Sequence, residues 1–135
     1  MGKESETITG GRSRRGFLLS LLAVLALPGL AWSSVRNTVL ATGYCPCTEC
    51  CGRNSPDAGG HGLTASGKRP HPGVTVAADW ALFPPGTRLL IQDVGRRVVQ
   101  DRGQGIVGSR IDIFFRSHTE AMAFGRRKVG VRVVR

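Results

Sequence analysis

The sequence predicts a small, mainly β domain: a compact six-stranded barrel carrying one short helix. Three observations predict it. Short runs rich in Val, Ile, Leu and Thr alternate with polar residues, a period of two that suits half-buried strands. Gly, Pro, Asn and Asp interrupt those runs at close intervals, as turns require. Only one stretch, near the C-terminus, carries the signals for both ends of a helix. At 135 residues the chain fits one such domain.

The elements follow in order. Asn37–Tyr44, NTVLATGY, is β-rich, with Thr38, Val39 and Leu40 able to form a strand. The stretch 45–62, CPCTECCGRNSPDAGGHG, is a loop by composition, and TASGKRPHPG at 64–73 continues it. VTVAAD at 74–79 reads as a short strand ending at an acid. ALFPPGTRLLIQDVGRRVVQD then supplies a turn, a strand over Arg88–Gln92, a tight turn through Asp93–Gly95 and a strand over Arg96–Gln100. RIDIFF at 110–115 alternates around Asp112. SHTEAMAFG begins with an N-cap Ser117, has Glu120 in its first turn and stops at Gly125, so it predicts the helix. KVGVRVV closes the chain as a final alternating strand.

The N-terminal third has a different character. Arg14 and Arg15 precede a mostly apolar run from Phe17 to Ala31, and small residues follow. With Pro28 and Gly29 inside it, the run is too short and too broken for a membrane span, so residues 1–33 are expected to be a cleaved export signal. No stable membrane span is expected after cleavage. Ser13-Arg14-Arg15-Gly16-Phe17-Leu18 resembles the twin-arginine signal S-R-R-x-F-L, which implies export of an already folded protein. Residues 34–135 then form the mature domain, located in the periplasm, the cell envelope or outside the cell.

Charge narrows the partners. Lys and Arg number 19 against 9 Asp and Glu, a formal net charge of +10. Such a surface attracts polyanions in general. The arginines are nevertheless dispersed, only one Tyr is present, and no recognition helix or RNA-binding motif is visible, so nucleic acid is not an expected partner.

Cys45, Cys47, Cys50 and Cys51 lie within seven residues. In an exported protein such a group predicts disulfides, with three connectivities open. The same thiols are able to hold zinc, and folding before export would allow the metal to be loaded in the cytoplasm. No other cofactor is expected. A catalytic cysteine is disfavoured, because the sequence places none of His61, His71 or His118 beside a thiol.

Three acids carry the chemistry. Asp79 ends VTVAAD, Asp101 ends RRVVQD, and Asp112 sits inside RIDIFF, at spacings of 22 and 11 residues. Carboxylates gathered in one groove raise one another's pKa, so that one stays protonated near neutrality and serves as a general acid. Glycosidic cleavage needs that proton for the leaving oxygen, with negative charge near the oxocarbenium-like sugar. Taken singly, Asp79 and Asp101 read as turn caps and Asp112 as a solvent-facing strand residue.

Taken in order, YCPCTECCG, TASG at 64–67, VAAD at 76–79, PPGTRLLI, QDRGQGIVGSRIDIFF and SHTEAMAFGRRKVGVRVV resemble the three-aspartate or 3D domain of bacterial envelope proteins. That domain is related to the catalytic barrel of the membrane-bound lytic transglycosylase A family. The resemblance spans about Thr38 to Val134. It implies a double-psi β-barrel, peptidoglycan glycan strands as substrate, and non-hydrolytic cleavage of the MurNAc–GlcNAc β-1,4 bond to give 1,6-anhydro-muramyl ends. It assigns Asp112 as catalytic acid/base, Asp101 as its supporting aspartate and Asp79 as the first of the three. It further assigns Thr64 and Ser66 to the groove lining, and Gly105 and Gly108 to clearance for the sugar chain. Where the family often reads GGAIKG this chain reads GQGIVG, so Val107 replaces a frequent lysine.

The leading expectation is therefore an exported lytic transglycosylase. An expansin-like, non-catalytic wall-polysaccharide-binding module uses the same acids to hold sugar. A metal-carrying envelope protein, with the cysteine loop as its active feature, is the third reading.

Overall fold

Alternation in RIDIF fixes the sidedness of the barrel wall. Ile111 and Ile113 are fully buried in the central core, and Asp112 between them faces the outside of the strand. The same rule puts Val39, Ala41, Val76, Ala78, Val99, Val129 and Val131 inside, where they pack with Leu89 and Ile91. The structure, a computed structural model, describes residues 37–135. The expected export signal over 1–33 lies outside the described residues.

Six strands form the wall: β1 Asn37–Tyr44, β2 Thr75–Ala78, β3 Arg88–Ile91, β4 Gly95–Asp101, β5 Arg110–Phe114 and β6 Arg127–Val134. They close into a barrel in the order β1-β5-β2-β4-β3-β6. The β1–β5 and β2–β4 pairs are parallel and the other four are antiparallel. Parallel neighbours require crossing connections, which here run through β2 to β4 for the β1–β5 pair and through β3 for the β2–β4 pair. The β3–β4 hairpin turns through Asp93, at φ 59°, a conformation that Asp tolerates better than most residues.

The helix at the C-terminal end is α2, His118–Phe124, capped as its sequence predicts by Ser117 Oγ, which accepts from the Glu120 amide at 3.2 Å. It lies close to β1 because Gly43 has no side chain: a Cβ there would stand 2.8 Å from the Phe115 ring and 3.0 Å from the Ala121 carbonyl. The cysteine loop differs from its expectation. It contains a one-turn helix, α1, Thr48–Cys51, followed by two 3-10 turns over Gly52–Asn54 and Pro56–Ala58. Ser55, fully buried, holds this run together by donating to the Pro46 carbonyl at 2.6 Å and accepting from the Asp57 amide at 3.2 Å. Compositional reasoning misses such elements because a single turn is too short to show a periodic pattern.

Outside the barrel a second, smaller apolar cluster forms from Tyr44, Ala77 and Phe114, with Cys50 and Cys51 packed over it. Tyr44 and Phe114 meet edge-to-face with ring centroids 5.1 Å apart. Among the described residues no helix is long and apolar enough to cross a membrane.

Candidate active site

Two acids are brought together by strand register and one irregularity. Asp112 of β5 lies opposite Ala77 of β2. On the other side of β2 the register slips between Val76 and Ala77: Val76 faces Val99, but Ala77 faces Asp101, so Gln100 is passed over. With Val99 inside the barrel, strict alternation would turn Asp101 inward as well. The bulge resets the phase and delivers Asp101 to the outer face. Asp101 and Asp112 therefore flank Ala77, whose methyl group leaves room above it. Both acids line a cleft of about 200 Å³ with Tyr44, Cys51, Asn54 and Arg102.

Asp112 is mostly buried there. Thr42, its partner in the parallel β1–β5 register, donates from Oγ1 to Asp112 Oδ1 at 2.8 Å. Burial pushes the carboxyl up to about 6; the Thr42 bond and the nearby Arg110 charge act in the opposite sense, and the Asp101 charge adds to the rise.

Asp101 accepts three hydrogen bonds through its carboxylate. Oδ2 takes the Tyr44 hydroxyl at 2.8 Å, and Oδ1 takes the amides of Ala65 at 2.8 Å and Arg102 at 2.9 Å. Its carbonyl accepts from the Trp80 indole at 3.0 Å. Burial, then the charge and hydrogen bond of Asp101, push the Tyr44 phenol well above its ordinary range, so it stays a donor.

Asp79 stands elsewhere. It lines a neighbouring cleft of about 580 Å³ with Trp80, Arg102, Gly103 and the exposed Val107. Arg102, whose guanidinium carbon lies 4.9 Å from the Trp80 ring centroid, and Gly103 belong to both clefts. Asp79 Oδ2 accepts from the Gly108 amide at 2.8 Å and Oδ1 from the Ala81 amide at 2.9 Å. Those bonds, Gly108 first, hold its carboxyl below the usual value. Asp79 thus ties the end of β2 to the loop before β5.

The remaining expected residues are placed less directly. Thr64 is buried inside its own turn: its hydroxyl is 3.1 Å from Ser66 Oγ and accepts from the Lys68 amide at 3.1 Å. Neither Thr64 nor Ser66 lines the two clefts; Ala65 between them presents its amide to Asp101. Gly105 and Gly108 also lie outside the lining, and a Cβ at either would meet open space. Gly108 has a conformational reason to be glycine, φ +65°. Sequence reasoning missed Thr42 and Tyr44, which stand at i and i+2 on the outer face of β1. The signal available was polar–polar spacing in an otherwise apolar strand.

The four cysteines are free thiols. Cys45 Sγ lies 3.1 Å from Cys47 Sγ and 3.6 Å from Cys50 Sγ, without a closed disulfide. Nothing in the spacing points to a histidine beside them, and the structure places one there: His118 Nδ1 is 3.5 Å from Cys47 Sγ.

Comparison with known proteins adds the following. Cell wall-binding protein YocH of Bacillus subtilis (strain 168) is 32% identical over 106 residues, 76% of this chain and 33% of YocH. The putative cell wall shaping protein YabE of the same organism is 27% identical over 99 residues, 72% of this chain and 22% of YabE. The chain thus spans a third or less of the length of these relatives. Among solved structures, the E. coli lytic transglycosylase MltA superposes with a TM-score of 0.48 at 24% identity, over 54% of this chain and 27% of MltA. E. coli MltA with bound chitohexaose gives 0.47 at 20% identity, over 53% and 27%. The 3D domain family matches residues 74–135, the segment that holds β2 to β6 and all three aspartates, so this segment of the chain is a 3D domain.

Proposed function

We propose that the protein is an exported peptidoglycan lytic transglycosylase acting on the MurNAc–GlcNAc β-1,4 bond. One observation carries the reading. Asp112 is a carboxyl that burial holds protonated up to about pH 6, in the same cleft as a second, hydrogen-bonded carboxyl. The names of YocH and YabE, cell wall-binding and cell wall shaping, favour a wall glycan as the ligand.

In this mechanism the protonated Asp112 gives its proton to the glycosidic oxygen as the bond from that oxygen to the muramyl C1 breaks. The resulting carboxylate then accepts the proton of the muramyl C6 hydroxyl as that oxygen closes onto C1. No water enters, so the product carries a 1,6-anhydro ring and Asp112 ends protonated, ready for another turnover. Thr42 keeps the Asp112 oxygens in place through both halves. Asp101, fixed by Tyr44, Ala65 and Arg102, supplies negative charge beside the cationic sugar. Asp79 shapes the loop 102–109 and touches neither proton.

The test is digestion of purified sacculi followed by mass spectrometry of the released muropeptides. The wild-type chain is expected to release anhydro-muramyl species, and Asp112→Asn to release none. A second reading, an expansin-like module that binds the wall without cutting it, is favoured by the two backbone amides that each of Asp101 and Asp79 accepts, bonds that give both acids a structural role. Intact sacculi that retain the protein equally with and without the Asp112 carboxyl would select it.

A further inference from the structure

We propose that Cys45, Cys47, Cys50 and His118 form a structural zinc site that fastens the cysteine loop to helix α2. The four ligand atoms lie within 4.8 Å of one another. His118 Nδ1 is 3.5, 3.6 and 3.9 Å from the sulfurs of Cys47, Cys50 and Cys45. A tetrahedral zinc with bonds of about 2.3 Å to sulfur and 2.0–2.1 Å to nitrogen needs sulfur–nitrogen separations of about 3.6 Å and sulfur–sulfur separations of about 3.7 Å. The Cys45–Cys50 separation, 3.6 Å, already fits, and Cys45–Cys47, at 3.1 Å, must open by about 0.6 Å to reach the tetrahedral value.

An independent contact points the same way. His118 Nε2 stands 3.0 Å from Glu49 Oε2. A carboxylate there fixes the imidazole proton on Nε2 and turns the Nδ1 lone pair toward the three sulfurs. That is the arrangement in which carboxylates orient metal-bound histidines. It is achieved by residues 69 apart in sequence: Glu49 sits in α1 and His118 opens α2. The close approach of α2 to β1 over Gly43 brings the two helices within reach.

The donor set selects the metal. Three thiolates and one imidazole suit zinc, whereas calcium and magnesium require oxygen ligands. Cys51 is excluded from the set, since its Sγ donates to the Cys45 carbonyl at 3.1 Å and it lines the acid cleft instead. Four protein ligands leave no open position, so the site is structural and not catalytic. Its consequence is local. Cys50, Cys51 and Asn54 form one wall of the cleft that holds Asp101 and Asp112, and the metal would hold that wall against the barrel.

The experiment measures metal without reference to glycan cleavage, so its outcome is independent of the proposed activity. The full chain is purified without chelator, and its zinc content, intact mass and free thiols are determined. One zinc per chain is expected, with three thiols becoming reactive only after chelation. Replacement by cobalt should give a thiolate charge-transfer band. Cys47→Ser and His118→Ala should weaken zinc retention against a competing chelator, and Glu49→Ala should weaken it about 10–100-fold. Cys51→Ser should retain one equivalent. A metal-free chain that takes up no zinc under reducing conditions would overturn the proposal. So would an intact mass showing stoichiometric disulfides within the set, or undiminished zinc in both Cys47→Ser and His118→Ala.

Discussion

Thr42 and Asp112 stand side by side in the parallel β1–β5 pair, and the threonine hydroxyl donates to the carboxylate at 2.8 Å. This bond favours the charged form and restrains the rise that burial imposes. Thr42→Val removes the donor and keeps the shape of the side chain. The Asp112 pKa is expected to move further above about 6, read directly from the carboxyl carbon resonance across a pH titration.

Asp112 also sets a sign for stability. Its folded-state pKa is raised from 3.8 to about 6, so the folded protein binds this proton more tightly than the unfolded chain. The resulting stabilisation is complete below 3.8 and is lost as pH climbs through about 6. Asp112→Asn cannot ionise and escapes that loss. It is expected to be more stable than the wild type by about 1–3 kcal/mol at pH 8 and equal to it at pH ~3, below the unfolded value. Urea unfolding at both pH values measures the difference.

Tyr44→Phe leaves Asp101 Oδ2 without its side-chain donor in a half-buried setting. A stability loss of about 1–2 kcal/mol is expected in denaturant unfolding. Release of muropeptides should fall with it, because the Asp101 carboxyl is then held only through Oδ1, by the amides of Ala65 and Arg102.

The two glycines of the crossing loop separate a conformational role from a clearance role. Gly108→Ala must adopt φ +65° with a side chain, and is expected to cost about 1–2 kcal/mol and to loosen the bond from the Gly108 amide to Asp79. Gly105 has open space around it and no positive φ, so Gly105→Ala is expected to leave stability unchanged. If Gly105→Ala nevertheless lowers cleavage of sacculi, the position serves the passage of the glycan.

How much of this was legible in the sequence depends on the range of the interaction. All six strands and the Ser117-capped helix were, since period-two alternation and capping are local properties. Asp112 facing outward between two inward isoleucines follows from the same alternation. The position of Asp101 does not: a strict count from Val99 turns it into the core, and only the bulge at Gln100 brings it out beside Asp112. Thr42, Tyr44 and His118 lie 70, 57 and 68–73 residues from the side chains they contact, distances at which spacing carries no information. Thr64 and Ser66 were assigned to the groove by resemblance, and the structure puts their hydroxyls in a turn that instead orients the Ala65 amide toward Asp101.

The central claim is that the protonated form of Asp112 starts the reaction. The most direct test is the rate of anhydro-muropeptide release from sacculi as a function of pH. The rate is expected to be highest on the acid side and to fall tenfold per pH unit above about 6, with Thr42→Val moving that limb upward. A rate that is flat from pH 5 to 8, or that survives in Asp112→Asn, would contradict it.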